Sequence, residues 1–223
     1  MKKQQLPFRY LQGPQDSVQR SAHRGHDLPG LRQIHADLGR SCGRTKNPFN
    51  PDAGKTRFVD VSDNAWYASA VNYVVDKGLM NGTGEDKFSP NADTTRGMIV
   101  TILARMEGVD TTKGAAWYAA GREWAMKNGI SDGTNMEANI TREQLATILF
   151  RYVVYKGLDL VTLEDNLSRF SDRNEISSYA VSAMNWAVGQ GLVKGSGGKL
   201  NPKGNATRAQ VAAILHRFCE LGK

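Results

Sequence analysis

Over the last three quarters of the chain, apolar positions follow a helical period that glycines break at intervals. Trp66, Ala70, Tyr73 and Val74 stand at i, i+4, i+7 and i+8, one face of a helix, and Gly78 follows where a left-handed C-terminal cap belongs. A loop rich in Gly, Asn and Asp leads to a second stripe at Ile99, Ile102, Leu103 and Met106, opened by Thr95 and closed by Gly108. The pattern predicts a helix-loop-helix unit.

That unit recurs twice. The first copy reads Phe58-Val59-Asp60, Trp66-Tyr67, Tyr73, Gly78-Leu79, Asn81-Gly82, Phe88, Pro90, Thr95-Arg96 and Arg105. The second returns Trp117-Tyr118, Trp124, Gly129-Ile130, Asp132-Gly133, Thr141-Arg142 and Arg151. The third gives Phe170-Ser171-Asp172, Tyr179, Trp186, Gly191-Leu192, Lys194-Gly195, Leu200, Pro202, Thr207-Arg208 and Arg217. The two arginines of each copy are nine residues apart throughout, while the loops vary in length, as loops between fixed helices do. One apolar face per helix in a unit of about 50 residues is too little to bury alone, so the three copies are expected to pack on one another. The reading divides the chain into an irregular basic segment at 1–57, expected to be disordered, copies at 58–108, 109–157 and 170–223, and a linker at 158–169.

The order Phe-x-Asp, aromatic helix, Gly-Leu-x-x-Gly, Phe-x-Pro, Thr-Arg and a helix ending Leu-x-Arg resembles the S-layer homology domain, over residues 58 to 223. The resemblance implies an all-α fold of three tandem helix-loop-helix repeats in a pseudo-threefold bundle. It also implies a function: non-covalent anchoring at the cell surface through secondary cell-wall polysaccharide attached to peptidoglycan, often pyruvylated, bound in grooves between repeats. Two departures stand out. The family's Thr-Arg-Ala-Glu appears here as Thr95-Arg96-Gly97-Met98, Thr141-Arg142-Glu143-Gln144 and Thr207-Arg208-Ala209-Gln210, and the second copy lacks both the Phe-x-Asp opening and the Phe-x-Pro loop.

Charge narrows the partners. The net charge of +7 resides wholly in residues 1–57, where eleven Lys/Arg face four Asp/Glu; from residue 58 onward there are 18 of each. The repeats therefore lack the positive field that recruits nucleic acid. No apolar stretch approaches the ~20 residues of a membrane-spanning helix, so no membrane insertion is expected. Lys2 and Lys3 resemble the start of an export signal, but Gln4, Gln5, Pro7, Arg9 and Gln12 stand where its apolar core belongs. The N-terminal segment reads as a truncated or misassigned stretch fused to the anchor of a longer protein. Cys42 and Cys219 form no metal spacing or disulfide framework, and Cys219 reads as packing on the last helix. His23, His26 and His35 lack the carboxylate or cysteine partners of a metal site, so no metal and no cofactor are expected.

Candidate chemistry centres on arginine. Arg96, Arg142 and Arg208 occupy the first helical position, where the helix dipole disfavours a cation by ~0.3–1 kcal/mol. Free N–H groups there, with a guanidinium beside them, would receive a carboxylate or phosphate; the alternative is a bridge to an acid of a neighbouring copy, such as Asp60 or Asp172. Thr141/Gln144 and Thr207/Gln210 read as capping boxes, and Arg105, Arg151 and Arg217 as last-turn cations complementing the carbonyl end. Trp66 and Trp117 are expected to face the grooves in part, and Tyr73, Trp124 and Trp186 to be core. Gly82, Gly133 and Gly195 serve either a positive φ or the close approach of a ligand to backbone. The ligand-binding set is thus Arg96, Arg142, Arg208, Trp66, Trp117, Asp60, Asp172, Gly82, Gly133 and Gly195. No nucleophile–base constellation accompanies them: His216 stands alone in the repeats, and Asp60, Asp63 and Asp172 lack the deep cleft of a glycosidase pair. The alternative to an anchor is a helical-repeat scaffold that binds protein and no glycan; an enzyme is not expected.

Overall fold

The structure, a computed structural model, describes Cys42, residues 57–157 and residues 164–221. The expected disorder of 1–57 falls outside the described residues save for Cys42 and Arg57, as do the three N-terminal histidines and the first half of the expected linker. Among the described residues from 57 onward, six α-helices follow in order: α1 (Ala68–Asp76), α2 (Arg96–Met106), α3 (Ala119–Lys127), α4 (Arg142–Tyr155), α5 (Val181–Gly189) and α6 (Arg208–Glu220), with two 3₁₀ turns before α5. Among the described residues there is no strand, and the fold is all-α.

The second helix of each copy starts where its sequence says it should. Thr95, Thr141 and Thr207 are extended N-caps whose Oγ1 accepts from the N–H of Met98, Gln144 and Gln210, 3.3 Å in each case. Gln144 and Gln210 return the bond to the cap N–H, completing the two expected capping boxes. Gly78 and Gly108, at φ 64° and 79°, supply the left-handed stops after α1 and α2. The first helix starts later than the periodicity indicates: α1 begins at Ala68 and buries Ala68, Ala70, Val71, Val74 and Val75, leaving Trp66 in the preceding turn and outside the core. α4 runs past Arg151 to Tyr155, so Arg151 does not stand in the last turn as its spacing indicates.

The helices of one copy are not each other's main partners. α1 packs on α6, α3 on α2 and α5 on α4, so each first helix lies against the second helix of the preceding copy, and the first copy closes the circle on the last. At the centre a ring of backbone hydrogen bonds ties the three copies. Ile140 N–H donates to Thr94 O (2.8 Å), Ala206 N–H to Ile140 O (2.9 Å) and Thr94 N–H to Ala206 O (3.0 Å), and all three residues are fully buried. Beside the ring, the equivalent positions are Asp93, Asn139 and Asn205. Both amides donate to Asp93 Oδ2 at 2.7 Å, so one carboxylate is shared where three would repel.

A further tie was not foreseen. Cys42 and Cys219 form a disulfide, both residues buried, with Cα atoms 5.7 Å apart. The expectation of unpaired cysteines fails because 177 residues separate them, a spacing with no local signature, and only the tertiary structure brings Cys42 to Cys219 of α6. Closing so long a loop restricts the unfolded chain. Cys42→Ser is expected to lower stability by about 2–4 kcal/mol, read as a fall in the denaturation midpoint under non-reducing conditions that disappears when both forms are measured in reductant.

Candidate functional site

The three arginines sit at equivalent places and reach in the same direction. Each Nε donates to a backbone carbonyl in the loop of the following copy: Arg96 to Thr134 O (3.1 Å), Arg142 to Leu200 O (2.7 Å) and Arg208 to Phe88 O (2.8 Å). Arg208 also donates to Asn81 O and lies 4.5 Å over the Phe88 ring. Burial pulls the Arg142 and Arg208 guanidiniums below their ordinary pKa, opposed by Asp172 and Asp60 respectively. These two arginines are struts between copies.

The helix-start N–H groups are not free. Arg96, Arg142 and Arg208 N–H donate to Ala138, Gly204 and Ala92 O, and the next N–H of each helix, at Gly97, Glu143 and Ala209, to Met136, Pro202 and Pro90 O. The cradle of open amides expected from the sequence is therefore filled by carbonyls of the neighbouring copy. Bridges from arginine to Asp60 or Asp172 do not form either. Asp60 accepts from Phe88 and Ser89 N–H (2.9 and 2.7 Å), and Asp172 from Leu200 and Asn201 N–H (2.9 and 2.7 Å). Ser89, Asn135 and Asn201 all take φ of 50–56°, which in the first and third copies turns two consecutive amides toward one carboxylate. Each Asp thus holds the amide side of the residue whose carbonyl side the arginine holds.

The second copy solves the same loop differently. It has no Phe-x-Asp, and Asp132 Oδ1 accepts from Thr134 N–H (3.0 Å) while also receiving Arg96 Nη2 at 2.7 Å. Arg96 is therefore the one of the three strut arginines paired with a carboxylate among the described residues, and Asp132 is largely exposed.

Beside this pair opens a cavity of about 340 Å³. Arg96 comes from the first copy, Asp132, Thr134 and Asn135 from the loop of the second, Gln144 and Arg151 from α4, and Tyr179 from the third. Arg105 and Arg217, the equivalents of Arg151, are engaged: Arg105 Nε donates to Thr111 Oγ1 (2.7 Å) and Arg217 Nη1 to Leu192 O (3.0 Å). Arg151 is exposed and has no hydrogen-bond or ion-pair partner among the described residues. A second cavity of about 490 Å³ shares Asn135, but there Arg122 Nε is taken by Gly133 O and Glu137 lines the wall.

Of the three exposed aromatics at the starts of the first helices, Tyr179 lines the first cavity, while Trp66 and Trp117 line neither. Trp66, Trp117 and Tyr179 are 64%, 51% and 53% exposed, and each tryptophan stands edge-on to the following tyrosine at 5.2 Å. Of the second row, Trp186 is buried, while Tyr73 and Trp124 are half-buried against the core. The glycines answer to the chain itself. A Cβ on Gly82 would meet Lys87 O and the Phe58 ring at 2.8 Å, and one on Gly195 would meet Lys199 O at 2.6 Å and the Phe170 ring at 2.7 Å. A Cβ on Gly133 would run into Met126 Sδ, and its φ is 72°. No sequence signal marks Arg151 as different from Arg105 and Arg217, since the difference lies in what the neighbouring segments offer each guanidinium.

The S-layer homology domain family matches residues 57–97 and 169–212. The chain carries S-layer homology domains. Among similar proteins are an amylopullulanase of Thermoanaerobacterium thermosulfurigenes, 32% identical over 73% of this chain and 9% of that protein, and Exoglucanase XynX of Acetivibrio thermocellus, 29% identical over 73% and 16%. The Surface-layer 125 kDa protein of Lysinibacillus sphaericus is 28% identical over 76% of this chain and 16% of its own length. The chain spans less than a fifth of the length of these relatives. Both matched S-layer homology segments contain the Asp-held loop start, and the unmatched middle stretch is the one that substitutes Asp132 for it.

These carboxylates give the S-layer homology loops a pH signature. Burial opposes the charge of Asp60 and Asp172, but the backbone amides outweigh it and hold both carboxyls below their ordinary value of 3.8. A carboxyl with a depressed folded pKa stabilises fully above its unfolded pKa and loses that contribution as pH falls through the folded value. Unfolding free energy is expected to be level in this respect above pH 3.8 and to decline below it. Asp172→Asn is expected to flatten that decline and to cost about 1–3 kcal/mol at neutral pH, measured by denaturant titration at a series of pH values.

Proposed function

We propose that this chain holds a protein non-covalently on the bacterial cell surface by binding acidic groups of secondary cell-wall polysaccharide, and that the middle copy acts as a third S-layer homology module. The observation that carries the reading is the cavity joining all three copies, lined by Arg96 and by Arg151, whose guanidinium makes no hydrogen bond or ion pair among the described residues and acts on Asp132 only through its charge. A guanidinium with no acceptor among the described residues is the group best placed to take a carboxylate in two parallel bonds. Arg96, 13% exposed, bonded to Thr134 O and paired with Asp132 at 2.7 Å, adds positive charge to the cavity wall rather than a free guanidinium. Tyr179 supplies an apolar ring and a hydroxyl at the same opening, a surface suited to saccharide C–H groups. Exposed Trp66 and Trp117 offer two further platforms around the bundle.

Arg142 and Arg208 enter this proposal as struts that set the spacing between copies rather than as the primary anion ligands. The glycan-cleaving activities in the names of the amylopullulanase and the exoglucanase belong to those proteins, of which this chain matches a minor part. The relatives named for surface layers are consistent with a place on the outside of the cell.

Sedimentation of the chain with isolated cell-wall sacculi tests the proposal. Arg151→Ala is expected to weaken binding at least tenfold, about 1.5–3 kcal/mol for a lost charged hydrogen bond, with the helical circular-dichroism signal unchanged. Binding is expected to fall as salt rises and to vanish when the acidic substituents are stripped from the polymer. Undiminished sedimentation of Arg151→Ala, or equal binding to stripped walls, would sink the reading in favour of a scaffold that binds protein.

A further inference from the structure

At the start of α4, where the second copy meets the third, one carboxylate gathers an unusual set of donors. Glu143 is 3% exposed. Its Oε1 accepts from Lys203 Nζ (2.7 Å), Ser177 Oγ (2.8 Å) and Tyr179 Oη (3.0 Å), and its Oε2 from Ser177 N–H (3.0 Å). Lys203 also donates to Ser177 Oγ. Four donors from three residues of the third copy thus converge on two oxygens supplied by the second, the arrangement of a carboxylate-binding site with its occupant in place.

The fold does not require this occupant. Gly97 and Ala209 stand at the same helical position in the other copies, and all three residues make the same backbone bond to the next copy's loop, at 2.7, 3.0 and 2.9 Å for Gly97, Glu143 and Ala209. Nor do the donors occur elsewhere. By alignment of the loops, Ser177, Tyr179 and Lys203 correspond to Ala115, Trp117 and Glu137 in the second copy and to Asn64, Trp66 and Asn91 in the first. Carboxylate and receiving cluster appear together at this one junction.

We infer that Glu143 is a built-in ligand for an anion site formed by Ser177, Tyr179 and Lys203, and that by filling this site it confines acidic sugar groups to the neighbouring Arg96–Arg151 cavity. The inference rests on the anchoring reading above. It adds a determinant of how many acidic groups the chain engages and where. The two places share Tyr179: its hydroxyl is bonded to Glu143 while the residue lines the cavity, so the same carboxylate that closes one site holds the wall of the other. An external carboxylate seated among the four donors of these three residues would make the contacts Glu143 makes now, provided Glu143 is gone.

The full chain, labelled with ¹⁵N, would be titrated with a methyl glycoside bearing a pyruvate ketal, and amide shifts followed at Ser177 and around Arg151. Unaltered protein is expected to respond at Arg151 and to stay unmoved at Ser177. Glu143→Ala, which installs the residue type that the third copy carries at Ala209, is expected to add a saturable response at Ser177 that Lys203→Ala removes. Glu143→Gln, which keeps the shape, is expected to leave Ser177 silent. A Glu143→Ala chain that responds at Arg151 and not at Ser177 would overturn this inference and leave the anchoring reading intact, as would a Ser177 response in the unaltered chain. A Ser177 response in Glu143→Ala without any at Arg151 would uphold the inference and count against the cavity, and silence at both would overturn both.

Discussion

Everything in this molecule hangs on a ring of three backbone hydrogen bonds, from Ile140 to Thr94, Ala206 to Ile140 and Thr94 to Ala206. The residues are buried, so no water competes for these amides and carbonyls, and leaving any of them unpaired would cost the full desolvation of a peptide group. The bonds come three together because each residue gives to one neighbour and takes from the other. That reciprocity fixes the three second helices around an axis and sets the distance at which each first helix lies on a helix of the adjacent copy.

From the ring outward, polar groups serve to join copies. The first two amides of every second helix go to carbonyls of the next copy, the third to a threonine cap, and each arginine side chain reaches a further carbonyl two residues back in that same loop. The loop residue so held is gripped from its amide side by a carboxylate: Asp60, Asp132 or Asp172. Arginine at the first helical position, unfavourable toward its own dipole, is explained by that cross-brace, which all three copies make. The dipole still disfavours the charge, but the carbonyl acceptors and, for Arg208, the Phe88 ring compensate.

Asymmetry is laid over this threefold plan at a few side chains. One Asp and two Asn share the axis, one carboxylate at a helix start meets two residues without a polar side chain, and one of three outer arginines lacks an acceptor among the described residues. These are positions where side-chain chemistry differs between copies on a shared backbone plan.

The sequence alone determined the unit and its number: glycine stops, threonine caps and a 3.6-residue period are local matters, settled within about ten residues of chain. It determined the capping boxes for the same reason, and it marked the recurring arginines as in need of an explanation. Tertiary structure decided what each arginine does. Arg151, Arg105 and Arg217 are alike in sequence, and only the carbonyl of Leu192 and the hydroxyl of Thr111 distinguish them. It likewise decided that Trp66 lies outside the core, that the open amides are filled, and that Cys42 meets Cys219 across 177 residues. Each of these depends on a partner from another copy or from the far end of the chain, and no local pattern encodes who will be next to whom once a ring has closed.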